Sequence, residues 1–269
     1  MINLDGAHVC VTGGARGIGR ATAAALAAEG AIVTIGDIDL DAAVATAESL
    51  GIRARHLDVT DETSFRDFLA SSADDGDIDM FVNNAGIQLM GRFVDNNLEA
   101  LHRELNINLG AVVTGTHLVL PRMIARGRGH IVNVSSMAGK VSTPGMATYC
   151  ASKFGVVALS RAIRAELVGT GVNLTTVMPA ATHTDLTSGV TLRLQPTLEP
   201  GDVAVAIVAS ATHGRPEVTV PRWLAPMGLV EQGLPEKLLL GAKRLVGGKE
   251  PGAFDSEQRK AYLDRTQTP

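Results

Sequence analysis

Hydrophobic and polar positions along the chain follow two alternating periods. Short runs of β-branched and other apolar residues predict strands at His8–Thr12, Ile32–Gly36, Arg53–Asp58, Met80–Asn83, His130–Ser135, Asn173–Met178 and Glu217–Val220. Longer Ala- and Leu-rich stretches predict helices at Gly17–Glu29, Leu40–Leu50, Glu62–Ser71, Leu98–Arg126 and Thr148–Val168. The strands are apolar at nearly every position, the pattern of strands covered on both faces. Their alternation with helices predicts βαβ units with right-handed crossovers, hence an α/β fold on a doubly wound parallel sheet of about seven strands. From Pro226 onward, Gly228, Gly233, Pro235, Gly247, Gly248, Pro251 and Gly252 break the pattern. The division expected is one domain over 1–225 and a C-terminal helical extension over 226–269, with a loosely ordered polar end from Glu250.

Composition narrows the classes. At 269 residues the chain can bury one large core, and with aromatics at 3% that core is built of Ala, Val, Leu and Ile. A net charge of -4 and the lack of a basic stripe argue against nucleic acid. Cys10 and Cys150 lack framework spacing, which fits a reducing, cytoplasmic setting and two inert thiols. The first strand begins by His8, leaving no room for a signal peptide, and no run reaches 18 uninterrupted apolar residues, so no membrane span is expected. No cluster suggests a metal site.

The first strand runs into Thr12-Gly13-Gly14-Ala15-Arg16-Gly17-Ile18-Gly19, which opens the first helix. Glycines let backbone approach a pyrophosphate, and a helix N-terminus offers free N–H groups and the positive end of a dipole. Asp37 ends the second strand, 18 residues beyond Gly19. A carboxylate there can accept both ribose hydroxyls of adenosine, whereas a 2′-phosphate beside it meets repulsion of about 4 kcal/mol per charge pair at ~4 Å and an effective dielectric of ~20. The expectation is therefore NAD over NADP. Arg16 is the counter-signal, since it could reach a 2′-phosphate or simply sit solvated beside the loop. Asp58-Val59 and Asn83-Asn84-Ala85-Gly86 follow the third and fourth strands, at the carboxyl edge where ligands bind. Asp58 could accept from the adenine amino group. Asn83 reads equally as a ligand contact or as a turn-former bonded to backbone.

Tyr149 and Lys153 stand at i and i+4 on a predicted helix and share a face, with Ser136 13 residues upstream of Tyr149. An ammonium about 4 Å from the phenol, at an effective dielectric of ~20, would contribute about 4 kcal/mol, up to roughly three pKa units. Oxidised nicotinamide would add more positive charge and burial opposes both, and the net effect could bring Tyr149 near neutral, where a general acid/base is most useful.

Together these motifs resemble the short-chain dehydrogenase/reductase family, in its single-domain branch of about 250 residues. The resemblance covers roughly residues 5–220 and rests on Thr12 to Gly19, Asn83 to Gly86, an asparagine in Leu105-Asn106-Ile107-Asn108-Leu109, Val134 to Ser136, and Tyr149-Cys150-Ala151-Ser152-Lys153. It implies a Rossmann-type fold and a catalytic tetrad of Asn108, Ser136, Tyr149 and Lys153. Tyr149 would exchange a proton with an alcohol oxygen held by Ser136, Lys153 would depress the Tyr149 pKa and grip the nicotinamide ribose, and Asn108 would hold a relay water. The cofactor set implied is Gly13, Arg16, Gly17, Ile18, Gly19, Asp37, Asp58, Val59, Asn84, Ala85, Gly86, Tyr149, Lys153, Pro179 and Thr184, the last against the carboxamide. Two departures stand out. Ala180 follows Pro179 where the family has glycine, and Val218 to Trp223 replaces the family's Asp-Gly-Gly ending before an extension of over 40 residues.

Met137, Val141, Met146, Leu186, Val190 and Leu192 lie where the family binds substrate, and Asp185–Pro200 is short for a lid. They imply a hydrophobic alcohol or ketone and an open mouth. His183, in the loop after the sixth strand, could touch substrate but reads rather as a surface-loop histidine. Pro235–Val246 predicts an amphipathic helix with Leu238, Leu239, Ala242, Leu245 and Val246 on one face and Lys237, Lys243 and Arg244 elsewhere, followed by Lys249. Packing on the active site or a neighbouring subunit is favoured over a membrane surface. The function expected is an NAD-dependent alcohol dehydrogenase/ketone reductase, assembled as a homodimer or homotetramer. The alternative is a catalytically silent NAD-binding regulator, which would not need the whole tetrad.

Overall fold

Seven parallel strands form one sheet in the order β3-β2-β1-β4-β5-β6-β7 in a computed structural model that describes residues 1–73, 76–189, 197–247 and 255–267. The strands are β1 His8–Thr12, β2 Ile32–Asp37, β3 Arg53–His56, β4 Met80–Asn83, β5 Gly129–Val134, β6 Val172–Pro179 and β7 Glu217–Val220. The helices between them are α1 Gly17–Ala28, α2 Leu40–Leu50, α3 Glu62–Ser72, α4 Leu98–Leu105, α5 Ala111–Arg126, α6 Ala147–Glu166 and α7 Pro200–His213. This is the doubly wound, Rossmann-type sheet expected. β1 pairs with both β2 and β4, so the strand order reverses there and opens a crevice at the carboxyl edge.

Alternate residues of each strand feed two cores. Val9 and Val11 join Leu26, Ile35, Val82 and Ile207 on one face, while Cys10 joins Phe65, Phe68, Phe81, Met123 and Ile131 on the other. Burial raises the Cys10 thiol to about 12, outweighing a bond with Ser72, so it is a small core residue.

Three departures from the sequence reading have local causes. β3 stops two residues early because Asp58 turns the chain, its Oδ1 accepting from the Thr60 N–H (2.9 Å) and hydroxyl (2.7 Å). The helix expected over Leu98–Arg126 is broken by a π-helical segment at Asn106–Gly110. By length and composition this 29-residue run is long and apolar enough to cross a membrane. In the fold it packs on α6, β4 and β5. Helix α7 was not foreseen; its β-branched residues resemble a strand, although Pro200 at its start and Gly214, left-handed at φ 55, after its end are its boundary signals.

Beyond β7 the chain forms α8 Met227–Gly233, α9 Glu236–Gly247 and α10 Ser256–Gln267. The polar end was expected to be loose; instead α10 buries Arg259 and Tyr262. On α9, Leu238 and Leu240 are exposed and Leu239 is half-buried; the side chains of Ala242, Lys243, Arg244, Leu245 and Val246, with Lys249, lie outside the described residues. Phe65 is fully buried and tilted at 51° against Phe81 at 6.2 Å between ring centroids. Phe65→Ala should cost about 3–5 kcal/mol of stability, read as a lowered urea midpoint with an unchanged slope.

Candidate active site

The loops after β1 and β4 meet at the strand-order reversal. The Thr12 hydroxyl accepts from the N–H groups of Asn84 (3.0 Å) and Ala85 (3.0 Å). The Asn84 amide donates back to the carbonyls of Thr12 (2.9 Å) and Gly13 (3.1 Å). Asn84 therefore braces the glycine loop through its side chain. A Cβ on Gly19 would lie 2.0 Å from the Gly13 carbonyl oxygen, so only glycine lets α1 start this close to the loop. Gly17 is left-handed at φ 52, and a Cβ there would come within 3.1 Å of Thr184 Cγ2. This brings Thr184 from the loop after β6 over the glycine turn. No side chain caps the N-terminus of α1 and no acid lies in its first turn, leaving its N–H groups to a ligand anion.

Asp37 Oδ2 accepts from the Ala15 N–H (3.0 Å) and Oδ1 from the Asp39 N–H (3.1 Å). A carboxylate has about four lone-pair sites, so two remain for ribose hydroxyls. Arg16 pairs with Asp39 at 2.6 Å. Ile18 packs on the first core and Val59 on the second. Asn83 does neither of the things weighed for it: its amide donates to Thr116 (3.1 Å) and Asn133 (2.9 Å) inside the protein. Pro179 pairs with Val220 across β6 and β7, and the Ala180 N–H donates to the Val220 carbonyl (2.8 Å), so the residue replacing glycine continues the ladder. His183 bonds Glu199 at 2.6 Å on the surface.

These features suit a nicotinamide dinucleotide. The bare helix N-terminus and glycine turn would hold its pyrophosphate, Asp37 its adenosine ribose, and Gly86 would leave room for the nicotinamide end. A Cβ on Gly86 would sit 3.0 Å from Asn108 Oδ1 and 3.6 Å from Lys153 Nζ.

Ser136, Tyr149, Lys153 and Asn108 converge beside Gly86. Tyr149 is buried and its hydroxyl shares a hydrogen bond with Ser136. Lys153 lies one turn on, its Nζ 5.7 Å from the Tyr149 ring centroid and donating to the Val134 carbonyl (3.1 Å). Asn108 is fully buried in the π segment. Its amide accepts from the Ile87 N–H (2.8 Å) and donates to the Ile87 carbonyl (2.8 Å), so this side chain clamps the backbone of the turn after β4.

The electrostatics without cofactor give the starting point for that chemistry. Burial raises the Tyr149 pKa, the Ser136 bond opposes it, and Tyr262 and Glu104 raise it further. In the protein without cofactor, desolvation therefore outweighs the help expected from Lys153. Burial also pulls Lys153 down to about 8, against the attraction of Glu104.

The sequence reading missed four residues here. Glu104, one turn before Asn108, is fully buried; it accepts from the Leu89 N–H (2.7 Å) and bonds the Thr148 hydroxyl. Burial raises its pKa, while bonds to Thr148 and Leu89 and the charges of Lys153 and Arg259 lower it. Its i, i+4 relation to Asn108 was the available signal. Gln88 donates to Met146 Sδ at 2.8 Å, and Met146 packs beside Tyr149. Arg259 and Tyr262 had no local signal. Of the expected substrate wall, Val190 and Leu192 lie outside the described residues, as does part of Asp185–Pro200.

An open parallel sheet with a glycine turn at the strand-order reversal and a buried Ser–Tyr–Lys group beside it defines a dinucleotide-binding fold with a candidate acid/base site. Residues 7–194 match the short chain dehydrogenase family. The chain belongs to that family. It is 44% identical to the probable oxidoreductase EphD of Mycobacterium tuberculosis over 185 residues, 66% of this chain, and spans 31% of that protein's length. It is 38% identical over 193 residues to the sorbitol dehydrogenase of Cereibacter sphaeroides, covering 70% of this chain and 75% of that one. The crystal structure of a Burkholderia phymatum short chain dehydrogenase/reductase in complex with NAD superposes with a TM-score of 0.80 at 23% identity, covering 90% of this chain and 97% of that one.

Lys153 titrates lower in the folded than in the unfolded chain, so between about pH 8 and its ordinary 10.5 the unfolded state holds more protons. Cofactor-free protein should gain stability from this group as pH rises through that window. Lys153→Met should remove the gain, so the stability difference between wild type and variant, from urea melts on either side of the window, must shift in favour of wild type at the higher pH.

Proposed function

We propose that this protein oxidises a hydrophobic secondary alcohol to a ketone with NAD, or runs the reverse reduction, using Tyr149 as general acid/base. The observation that carries this reading is the buried Tyr149 hydroxyl bonded to Ser136 above the buried amine of Lys153. Bound NAD supplies the acceptor for the hydride that leaves the carbinol carbon. Ser136 donates to the substrate oxygen and fixes it against Tyr149. Tyr149 accepts the hydroxyl proton as the carbonyl forms and returns it in reduction. Lys153 stabilises the resulting phenolate with an ammonium that burial has left close to losing its own proton. Asn108 acts by holding Ile87, and with it the turn after β4, against the site.

Asp37 and Asp39 support the preference for NAD. Both carboxylates stand at the ribose end of β2, and Arg16 is already paired with Asp39. A 2′-phosphate would have to displace that pair and approach two like charges. Leu89, Met146, Met137 and Leu186 support an apolar substrate. Exposed Phe93, Val94, Leu98 and Val205 support assembly into a homo-oligomer, and two free buried cysteines fit a cytoplasmic setting.

Tyr149→Phe should lower turnover about 10²–10⁴-fold while NAD still binds, measured as NADH absorbance against fluorescence titration. Activity close to wild type in that variant refutes the role. A panel of secondary alcohols tested with both cofactors should show higher kcat/KM with NAD, and Asp37→Ala should narrow the gap. A wild-type preference for NADP would overturn the argument from Asp37.

A further inference from the structure

Three consecutive residues after Gly86 have their backbone held by side chains from three different places. Asn108 holds both main-chain groups of Ile87. Glu104 takes the Leu89 N–H. Between them, the Gln88 N–H donates to the Tyr262 hydroxyl (2.7 Å), and Arg259 donates to the Gln88 carbonyl (2.8 Å). Arg259 also donates to the carbonyls of Leu186 (2.8 Å) and Ser188 (3.1 Å). One fully buried guanidinium thus ties the loop after β4 to the loop after β6, the two loops that flank the cleft. Its carbon lies 4.4 Å from the Tyr262 ring centroid, so the two side chains form one slab.

The docking of α10 is specific. Its first turn is capped by Asp255 Oδ1, which accepts from the N–H groups of Glu257 (3.0 Å) and Gln258 (3.2 Å). The Asp255 N–H donates to the Gly189 carbonyl (2.8 Å). Gly189 is left-handed at φ 70, and a Cβ there would lie 2.5 Å from the Asp255 carbonyl oxygen. A buried arginine is costly unless its donors are met, so a helix bringing one into this cleft needs these carbonyls to receive it. Tyr262 stands near enough to disfavour the Tyr149 phenolate, and Arg259 near enough to favour the Glu104 carboxylate.

We infer that Arg259 and Tyr262 of α10 form the outer wall of the substrate cleft and set the size of the alcohol that reaches Tyr149. The inference rests on the dehydrogenase reading above. Tyr262 and Met146 are both bonded to Gln88, Met146 packs on the cluster that contains Tyr149, and Tyr262 lies near enough to act on the Tyr149 phenolate. Arg259 holds Leu186 at the other lip. α10 lies beyond residues 7–194, the stretch that matches the family.

The test compares full-length wild type, Tyr262→Ala, Tyr262→Phe and Gly189→Ala on isopropanol and on secondary alcohols of increasing chain length. Tyr262→Ala should raise kcat/KM for long alcohols relative to isopropanol by about 10-fold or more, the scale of pocket-size discrimination, with the KM for NAD unchanged. Tyr262→Phe keeps the ring and should keep the size preference. A preference unchanged in Tyr262→Ala overturns the inference. Amide hydrogen exchange provides a readout independent of turnover: exchange at Gln88 should quicken in all three variants, since Phe removes its acceptor and Ala at Gly189 displaces α10. Unchanged exchange at Gln88 in all three also overturns the inference. If wild type oxidises no alcohol in the panel, the dehydrogenase reading fails, while the exchange result still decides whether α10 closes the cleft.

Discussion

The close approach of the loops after β1 and β4 governs the rest of the site. Backbone meets backbone there, and Thr12 and Asn84 exchange hydrogen bonds across the gap. A Cβ on Gly19 would sit 2.0 Å from a carbonyl oxygen, so any larger residue would push α1 off the loop. This contact leaves the α1 N-terminus bare for a pyrophosphate. It also delivers Gly86 and Ile87 to Asn108, which sets the floor on which Tyr149 and Lys153 face the nicotinamide end.

Burial dominates the chemistry of that floor. Tyr149 and Lys153 are both desolvated, and each is pushed toward its neutral form. A neutral pair is a poor acid/base couple until charge arrives. The positive charge of an oxidised nicotinamide would favour the phenolate, so proton removal would be coupled to cofactor binding through elementary electrostatics. Glu104 complicates this balance. It raises both pKa values, and its own carboxylate is held by Leu89, Thr148 and the charge of Arg259.

The extension after β7 reaches back to the loops after β4 and β6. The loops after β4 and β6 rise from strands on the same side of the strand-order reversal, with β5 between them. The ladder of the parallel sheet ends before these loops, so their separation depends on side-chain contacts to their backbone. Arg259 fixes it, with carbonyl partners on both. Ser142 and Glu231 make a similar tie between the loop after β5 and α8, at 3.1 Å from the Ser142 N–H.

Much of this was legible in the amino-acid order because it is local. Strand periods, the glycine turn, Asp37 at a strand end and the Tyr149–Lys153 spacing each depend on a few neighbouring residues, and the sheet agreed with them to within one or two positions at most strand ends. Even the misplaced end of β3 was a local matter, an Asp58 side chain turning its own backbone. Folding alone decided three other things. The depth of burial made Tyr149 harder to ionise despite its lysine. Long-range packing sent Asn83 inward to Asn133 and set Asn108 on Ile87. Contacts between residues 171 and 174 positions apart brought Arg259 and Tyr262 to Gln88. Desolvation and distant hydrogen bonds are sums over the whole packed chain, and no short window of sequence contains their terms.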